Sequence, residues 1–372
     1  MKLLDATFDP FDPSPHGGKP IIVLMSGGVD SSVAAMLLRD SGRQVVGVTM
    51  KIPTARDCDY SRSCCGMEAG YVCRELRIPH YYLDVGGEFD DLVIKPFARD
   101  YRQGRTPSPC VDCNSEVKFG VAWEFLRGAF GIDDLATGHY ARIGDEQGRA
   151  CLCRGRDHTR DQSYFLYGIR AEKLSSLLFP LVDYSKDQVR QMAACARLPV
   201  ARRSDSMELC FAGEGDYRKA LGLESRAGEI YDTAGRVIGQ HQGIENFTIG
   251  QRKGIGIAAR EPLYVVRISP EQNSITVGTA DDAMSTDVVA CHVNVLIPDL
   301  LVSGTHLYGK IRSQGEPAQC EIQDFDGREL SVRFSEPQFA PTPGQRLVLY
   351  SDRECVVAGG VISPGSAPGS AV

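Results

Sequence analysis

No run in this sequence approaches the roughly 20 consecutive apolar residues that a membrane helix needs, so no membrane span is expected. The opening, MKLLDATFDPFDPSPHGGKP, lacks a basic start followed by a long apolar core. That argues against a secretory signal and for a flexible leader over 1–18, matched by a flexible tail over 363–372. Positive charge is short as well: 41 Lys and Arg against 48 Asp and Glu leave a formal net charge of −7. A nucleic-acid partner would then have to meet a local basic face, because the total supplies none. Tryptophan occurs once, at Trp123, within an apolar helical pattern that reads as core. Internal repeats are not evident.

What the chain has in quantity is cysteine, 13 in 372 residues. Their scatter, without a secretory signal, fits a reducing, cytoplasmic setting better than a disulfide scaffold. Cys195, in SKDQVRQMAACARL, reads as a buried hydrophobe. Cys151, Cys153, Cys291, Cys320 and Cys355 fall in strand-like runs and take the same reading. The length favours two or three domains.

Apolar runs alternate with helical patterns through the first half: strands over 21–25, 44–50 and 80–85, helices over 32–40, 66–76, 89–103 and 115–129. Alternation of this kind predicts an α/β domain with a mostly parallel sheet covered on both faces. Ligands then bind outside the carboxyl ends of the strands. After about Asp216 the pattern changes to short strands and turns, and from Pro262 onward only strand-like runs remain, which predicts a small β barrel. The expected organisation is a catalytic domain over 19–216, a central linker domain over 217–280 and a C-terminal β-barrel domain over 281–362.

The first strand ends in SGGVDSS, Ser26 to Ser32. A strand-to-helix loop of this kind can cradle phosphate on backbone N–H groups. It is not a P-loop, since it has no lysine, and the dinucleotide pattern GxGxxG is absent too. It offers two glycines for a tight turn, three hydroxyls and one carboxylate, Asp30, which points to Mg²⁺ beside a pyrophosphate. The plainer alternative is a turn whose Ser or Asp caps the helix. As a whole, IIVLMSGGVDSS resembles the PP-loop of ATP pyrophosphatases, which implies cleavage of ATP to AMP and pyrophosphate with adenylation of an acceptor oxygen. An adenylated centre next needs a nucleophile. Cys110 and Cys113 in TPSPCVDCN, at an expected helix start, and Cys210 in SDSMELCF are the thiols in polar loops.

Six stretches together make the resemblance closer: MSGGVDSSVAA (25–35), GRTPSPCVDCNSEVKF (104–119), ATGHYAR (136–142), DQSYFLY (161–167), SDSMELCFAGE (204–214) and GQHQGIENFTIGQRKGIG (239–256). They resemble the MnmA-type tRNA-specific 2-thiouridylases over essentially the whole folded length. The resemblance implies that ATP activates the C2 oxygen of the wobble uridine in tRNA and that sulfur replaces it. Cys210 would carry a persulfide and Cys113 would be its partner thiol, the pair forming a disulfide that a reductant must reopen. Leu24, Met25, Ser26, Gly27, Gly28, Val29, Asp30 and Ser31 would hold ATP with Mg²⁺, and Met50 and Gly138 would flank the adenosine. Ser108, Pro109, Cys110 and His139 would approach the flipped-out uridine. Arg160, Asp161, Gln162, Arg312, Ser313 and Gln345 would touch tRNA. A cysteine desulfurase or sulfur-carrier protein would be the sulfur donor.

One departure matters. Many relatives have aspartate where this chain has Cys110, and the change creates CVDC. Cys110, Cys113 and Cys210 could then hold a [4Fe–4S] cluster, an alternative route to the same product. Structural zinc on Cys64, Cys65, Cys110 and Cys113 is a weaker option, and packing or incidental exposure accounts for Cys58 to Cys73 more simply. Lys118 and Arg105 border the cysteine loop, Gln251–Arg252–Lys253 form a basic turn, and Asp205 is placed to orient Cys210 or to cap a turn. Rival functions are another ATP-pyrophosphatase-type ligase, which has no use for the thiols, and a non-catalytic RNA-binding protein, which needs neither Asp30 nor the thiols.

Overall fold

A computed structural model describes residues 1–5, 18–52, 67–146, 148–203, 209–211 and 225–366. It divides into two units: Met1–Val93 with Cys110–Tyr217, and Ile94–Pro109 with Arg218–Val372.

The first unit is built on a six-stranded sheet of β1 (Lys2–Asp5), β2 (Pro20–Leu24), β3 (Gln44–Lys51), β4 (His80–Asp84), β5 (Leu135–Thr137) and β8 (Leu177–Leu178), in the order β1-β4-β3-β2-β5-β8. Between β5 and β8 the chain forms the hairpin β6 (Ala141–Glu146) and β7 (Arg149–Arg154). All pairings in the main sheet are parallel except β1 with β4. Ile21, Ile22 and Val23 are wholly buried, as a central strand covered on both faces requires. Helix α1 (Val29–Asp40) packs Val33, Ala34 and Leu38 into that core, and Gly42, at φ 86°, ends it where expected.

The leader differs from its expectation. Lys2–Asp5 adds an antiparallel edge strand, with Leu3 opposite Leu83, and so occupies the outer edge of β4. Residues 6–17 lie outside the described residues.

The cysteine helix also starts earlier than expected. Helical backbone begins at Pro109–Asp112, widens into a π turn over Cys113–Ala122, and continues as Trp123–Phe130 to Gly131 at φ 66°. Cys113 therefore sits one turn inside the helix. The run kinks at Gly120, whose ψ of −113° is not helical. Trp123 is buried, with its Nε1 donating to Asp133 O at 3.2 Å.

Burial pushes His80, on β4, down to about 4 from its ordinary 6.5, while its Nε2 meets Thr49 Oγ1 at 2.8 Å. The unfolded chain thus takes up this proton first. The stability due to the neutral ring is complete above about pH 6.5 and is lost as pH falls toward 4, amounting to about 2 kcal/mol by pH 5. Urea unfolding at pH 8 and pH 5 should show this loss in the native chain and a flatter response in His80→Asn.

The second unit holds a four-stranded sheet and a barrel. The sheet is β9 (Gly228–Asp232), β10 (Val237–His241), β11 (Tyr264–Ser269) and β12 (Ser274–Gly278), in the order β10-β9-β12-β11, with Ile230, Val265, Ile275 and Val277 as its core. The barrel closes through β13 (Met284–Val295), β14 (His306–Lys310), β15 (Ala318–Phe325), β16 (Glu329–Phe339), β17 (Arg346–Tyr350) and β18 (Val356–Ile362), in the order β13-β16-β15-β14-β17-β18. Ile94–Pro109, including the helix Lys95–Arg102, groups with this unit although it lies between two segments of the first.

Candidate active site

The loop after β2 is shaped by its own hydroxyls. Ser26 N–H donates to Ser31 Oγ at 3.2 Å, the Ser26 and Ser31 hydroxyls lie 3.1 Å apart, and Ser32 Oγ donates to Gly28 O at 2.8 Å. Gly27 takes φ 72°, a conformation that glycine adopts without steric cost. Gly28 stands at the N-cap position with no side-chain cap among the described residues. The simple capping reading of Ser or Asp therefore does not describe this turn. Arg203 Nη1 donates to Gly27 O at 2.9 Å and pairs with Glu68 at 3.4 Å, so a cation tethers the crest of the loop.

Asp30 is fully engaged. Lys186 Nζ donates to Asp30 Oδ1 at 2.8 Å and to Oδ2 at 2.6 Å, and the Tyr140 hydroxyl donates to Oδ1 at 2.9 Å. The Lys186 side chain is only 10% exposed and Asp30 30%. Neither partner was singled out from sequence. A signal existed: Ser185 and Gln188 form a capping box that makes Lys186 the first residue of the helix Lys186–Cys195. A cation there opposes the helix dipole and needs an anion to hold it. Lys186→Met should cost about 3 kcal/mol, because it strands a carboxylate in a half-buried site. The AMP formation that the PP-loop resemblance implies should fall on the order of 100-fold, as a neutral ion pair at the loop becomes a lone carboxylate. Urea unfolding and an AMP assay would check both.

Leu24, Met25 and Met50 are buried at the carboxyl ends of β2 and β3, with Met25 N–H donating to Val48 O at 2.7 Å. Gly138, just past β5, approaches α1 so closely that a Cβ would lie 2.5 Å from Ser31 N. Next to it, burial pushes His139 down to about 3, and nearby Lys118 adds to the shift. The ring is thus neutral, with Nδ1 at 2.8 Å from Thr137 Oγ1 and Phe119 and Phe179 beside it.

The three thiols differ in access: Cys113 is 5% exposed, Cys210 is half-buried and Cys110 is exposed. Asn114, next to Cys113, accepts from Lys118 Nζ at 2.9 Å and donates to Phe165 O at 3.0 Å, which fixes this turn of helix. Phe211 packs edge-on to Phe89, 5.9 Å between centroids, and anchors the residue after Cys210. Asp205, Cys58, Cys64 and Cys65 lie outside the described residues. Cys73 is buried in the helix Met67–Leu76 and burial raises its thiol to about 12, which fits packing. Cys195 corrects its expectation: it is exposed, because the helix turns Val189 and Ala193 inward and leaves Cys195 on the opposite side.

Several residues expected at tRNA are bonded within their own units. The Asp161 side chain is 1% exposed: its carboxylate accepts from Gly155 N, Ser163 N and Ser163 Oγ and lies 3.6 Å from Arg154. Gln162 Oε1 accepts from Tyr140 N at 3.0 Å. Arg160 is exposed and Ser313 half-buried. In the second unit, Arg312 Nη2 donates to Phe339 O and its guanidinium lies over the Phe339 ring. Gln345 Nε2 donates to Thr106 O at 2.9 Å. Ser108 is half-buried and Pro109 buried. Arg105 pairs with Asp100 at 3.7 Å. Gln251 braces its own turn through Thr248 N and Lys253 O, leaving Arg252 and Lys253 exposed.

Comparison with known proteins agrees with this architecture. A family model described as a tRNA methyl transferase HUP domain matches residues 19–214. A tRNA methyl transferase PRC-barrel domain matches 220–279, and an aminomethyltransferase beta-barrel domain matches 298–362. The tRNA-specific 2-thiouridylase MnmA 1 of Syntrophus aciditrophicus is 43% identical over 351 residues, covering 92% of either chain. The tRNA-specific 2-thiouridylase MnmA of Moorella thermoacetica is 42% identical over 353 residues, covering 92% of this chain and 98% of its own. With like identity across nearly the full length of such relatives, the chain belongs to the tRNA-specific 2-thiouridylase MnmA family.

Proposed function

We propose that this chain is an ATP-dependent tRNA-uridine 2-sulfurtransferase, acting at the C2 oxygen of the wobble uridine to give 2-thiouridine, AMP and pyrophosphate. The observation that carries the reading is one unit holding both a nucleotide loop braced by Asp30–Lys186 and the thiols Cys113 and Cys210. A plain ligase needs only the first, and a passive RNA binder needs neither.

In the first step the uridine O2 attacks the α-phosphorus of ATP and pyrophosphate leaves. N–H groups of the loop between Ser26 and Ser32 that are not spent within it, with the Lys186 ammonium, stabilise the departing charge. Met50 and Gly138 flank the adenosine. In the second step the Cys113 thiolate attacks the inner sulfur of a Cys210 persulfide. A Cys113–Cys210 disulfide forms and hydrosulfide is released; it adds at C2, and AMP departs with the original oxygen. The persulfide sulfur is reduced by two electrons at the expense of the Cys113 and Cys210 thiols, so an external thiol reductant must restore the pair. The half-buried Cys210 receives sulfur from a desulfurase or carrier, while the buried Cys113 is kept from solvent oxidants. In the first unit, Cys110 and the neutral His139 are assigned to the uridine, and the resemblance adds Ser108 and Pro109. Arg160, Arg312 and Ser313 meet the RNA, and the reaction runs in the cytoplasm.

Mg²⁺ does not fit Asp30 as it stands, since Lys186 and Tyr140 already hold the carboxylate. The ion enters here as the counter-ion of ATP itself, and no step depends on Asp30 ligating it. Family membership does not favour the iron–sulfur alternative, with Cys110, Cys113 and Cys210 as ligands.

The deciding experiment is a single turnover on unmodified tRNA, with iron-free enzyme preloaded as persulfide, ATP and Mg²⁺, read by nucleoside mass spectrometry. Formation of 2-thiouridine is expected. Product only after anaerobic cluster reconstitution would overturn the persulfide route, and silence in both preparations would overturn the thiolation reading.

A further inference from the structure

Residues 104–109, which belong to the second unit, carry the chain into the cysteine loop and are gripped by the rest of that unit. Gly104, at φ 65°, packs so closely that a Cβ would lie 2.7 Å from Ile268 and 3.1 Å from Pro270. Two residues on, one turn of the barrel domain holds the backbone of Thr106 on both sides. Thr106 N–H donates to Pro343 O at 2.9 Å, and Thr106 O accepts from Gln345 Nε2 at 2.9 Å. The Thr106 hydroxyl donates to Thr248 Oγ1 at 3.2 Å, in the segment leading to β11. Gly344, at φ 91°, completes the grip: a Cβ there would lie 3.0 Å from Thr106 N, C and O.

Beyond Thr106 the chain has little freedom. Pro107 and Pro109 fix their own φ and restrict Thr106 and Ser108 before them, and both prolines are buried. Whatever sets Thr106 therefore sets the start of the helical turn at Pro109, which bears Cys110 and then Cys113. A carboxamide spent on this carbonyl leaves an unsatisfied acceptor if it turns to RNA instead.

We propose that Gln345 is a positioning residue for the cysteine loop, fixing Thr106 so that Cys110 and Cys113 are aimed for sulfur transfer, and that RNA contact is not its main task. The proposal rests on the thiolation reading for its consequence, but its geometry can be measured without turnover.

Gln345→Leu keeps the side-chain size and removes the donor. Its Kd for unmodified tRNA, by filter binding, should stay within about twofold, since the carboxamide is spent on Thr106 O and not on RNA. Single-turnover thiolation at saturating tRNA should slow by about tenfold or more, because small misplacements of reacting groups are costly. Native-state alkylation of Cys110 by iodoacetamide, followed by peptide mass spectrometry, should change by about threefold or more as access to the loop changes. Gly344→Ala presses on Thr106 but leaves Gln345 in place, and should reproduce the altered alkylation. A Kd weakened about tenfold, with the saturated rate and the alkylation unchanged, would make Gln345 an RNA contact and overturn the proposal. Unchanged alkylation in both variants would overturn it too. Altered alkylation in a protein that never makes 2-thiouridine would leave the placement standing and remove the thiolation reading instead.

Discussion

Cys210→Ser should separate the two halves of the reaction. Uridine-dependent AMP release should continue within about threefold, because serine is nearly isosteric and the nucleotide loop is built from other residues. Formation of 2-thiouridine should fall by at least about 1000-fold, since a hydroxyl cannot carry a transferable sulfur. Cys113→Ser should fail differently. The enzyme should still accept sulfur on the half-buried Cys210, but without the buried partner thiol the persulfide should persist through a turnover with ATP and tRNA. Intact-protein mass would show one retained sulfur atom, and nucleoside analysis would show little product. Cys110→Ser is the informative third variant. In the persulfide cycle the exposed Cys110 is no redox partner, so substantial thiolation should survive; a cluster would lose a ligand and all activity with it. Loss of sulfur transfer in all three variants, together with loss of bound iron, would defeat the two-thiol cycle.

The parts of this enzyme that were legible in sequence are those encoded over short distances. IIVLM followed by SGGVDSS announces a buried strand, a tight turn and a helix within a dozen residues, and the structure places β2, Gly27 at positive φ and α1 there. The barrel was legible from its apolar alternation, most faintly at β15, where Cys320 and Ile322 are the two buried positions of AQCEIQDF. The edge strand Lys2–Asp5 was hidden for a related reason: four residues bury little, and their pairing with β4 depends on a segment about 80 positions away. Long-range partners were the true blind spot. Lys186 is 156 residues from Asp30 and Tyr140 is 110, and no local pattern ties either to a carboxylate. The same holds for Gln345 and Thr106, 239 residues apart. Resemblance pointed Gln345 toward RNA, whereas only the fold reveals the backbone carbonyl it holds. Cys195 failed on geometry alone, since an apolar composition does not say which face of a helix a residue occupies.

Gly138→Ala should be among the most damaging small changes available in this chain. The glycine is not demanded by backbone conformation, for its φ lies outside the left-handed region that favours glycine. It is demanded by space. An added Cβ would lie 2.5 Å from Ser31 N, 2.7 Å from Asp30 C and 2.9 Å from Ser31 Cα, all backbone atoms of the first turn of α1. No rotamer change relieves a clash between main chains, and Val29, Val33 and Ala34 hold α1 firmly in the core. The strand end and the helix start must then move apart, at a cost of about 3 kcal/mol for overpacking of this kind. The displaced atoms belong to the turn proposed above to hold the phosphates, so AMP formation should fall on the order of 100-fold for a shift near 1 Å. Gly128→Ala is the matched control. It lies in the helix Trp123–Phe130 with nothing within 4 Å of its added Cβ, and should stabilise the protein by about 0.5–1 kcal/mol through helix propensity alone. Urea midpoints and ATP-dependent AMP release, measured side by side on the two variants, separate contact from conformation. If Gly138→Ala matched the parent in both, the nucleotide loop would have to tolerate displacement, and close packing of β5 against α1 would lose its place in the account of catalysis.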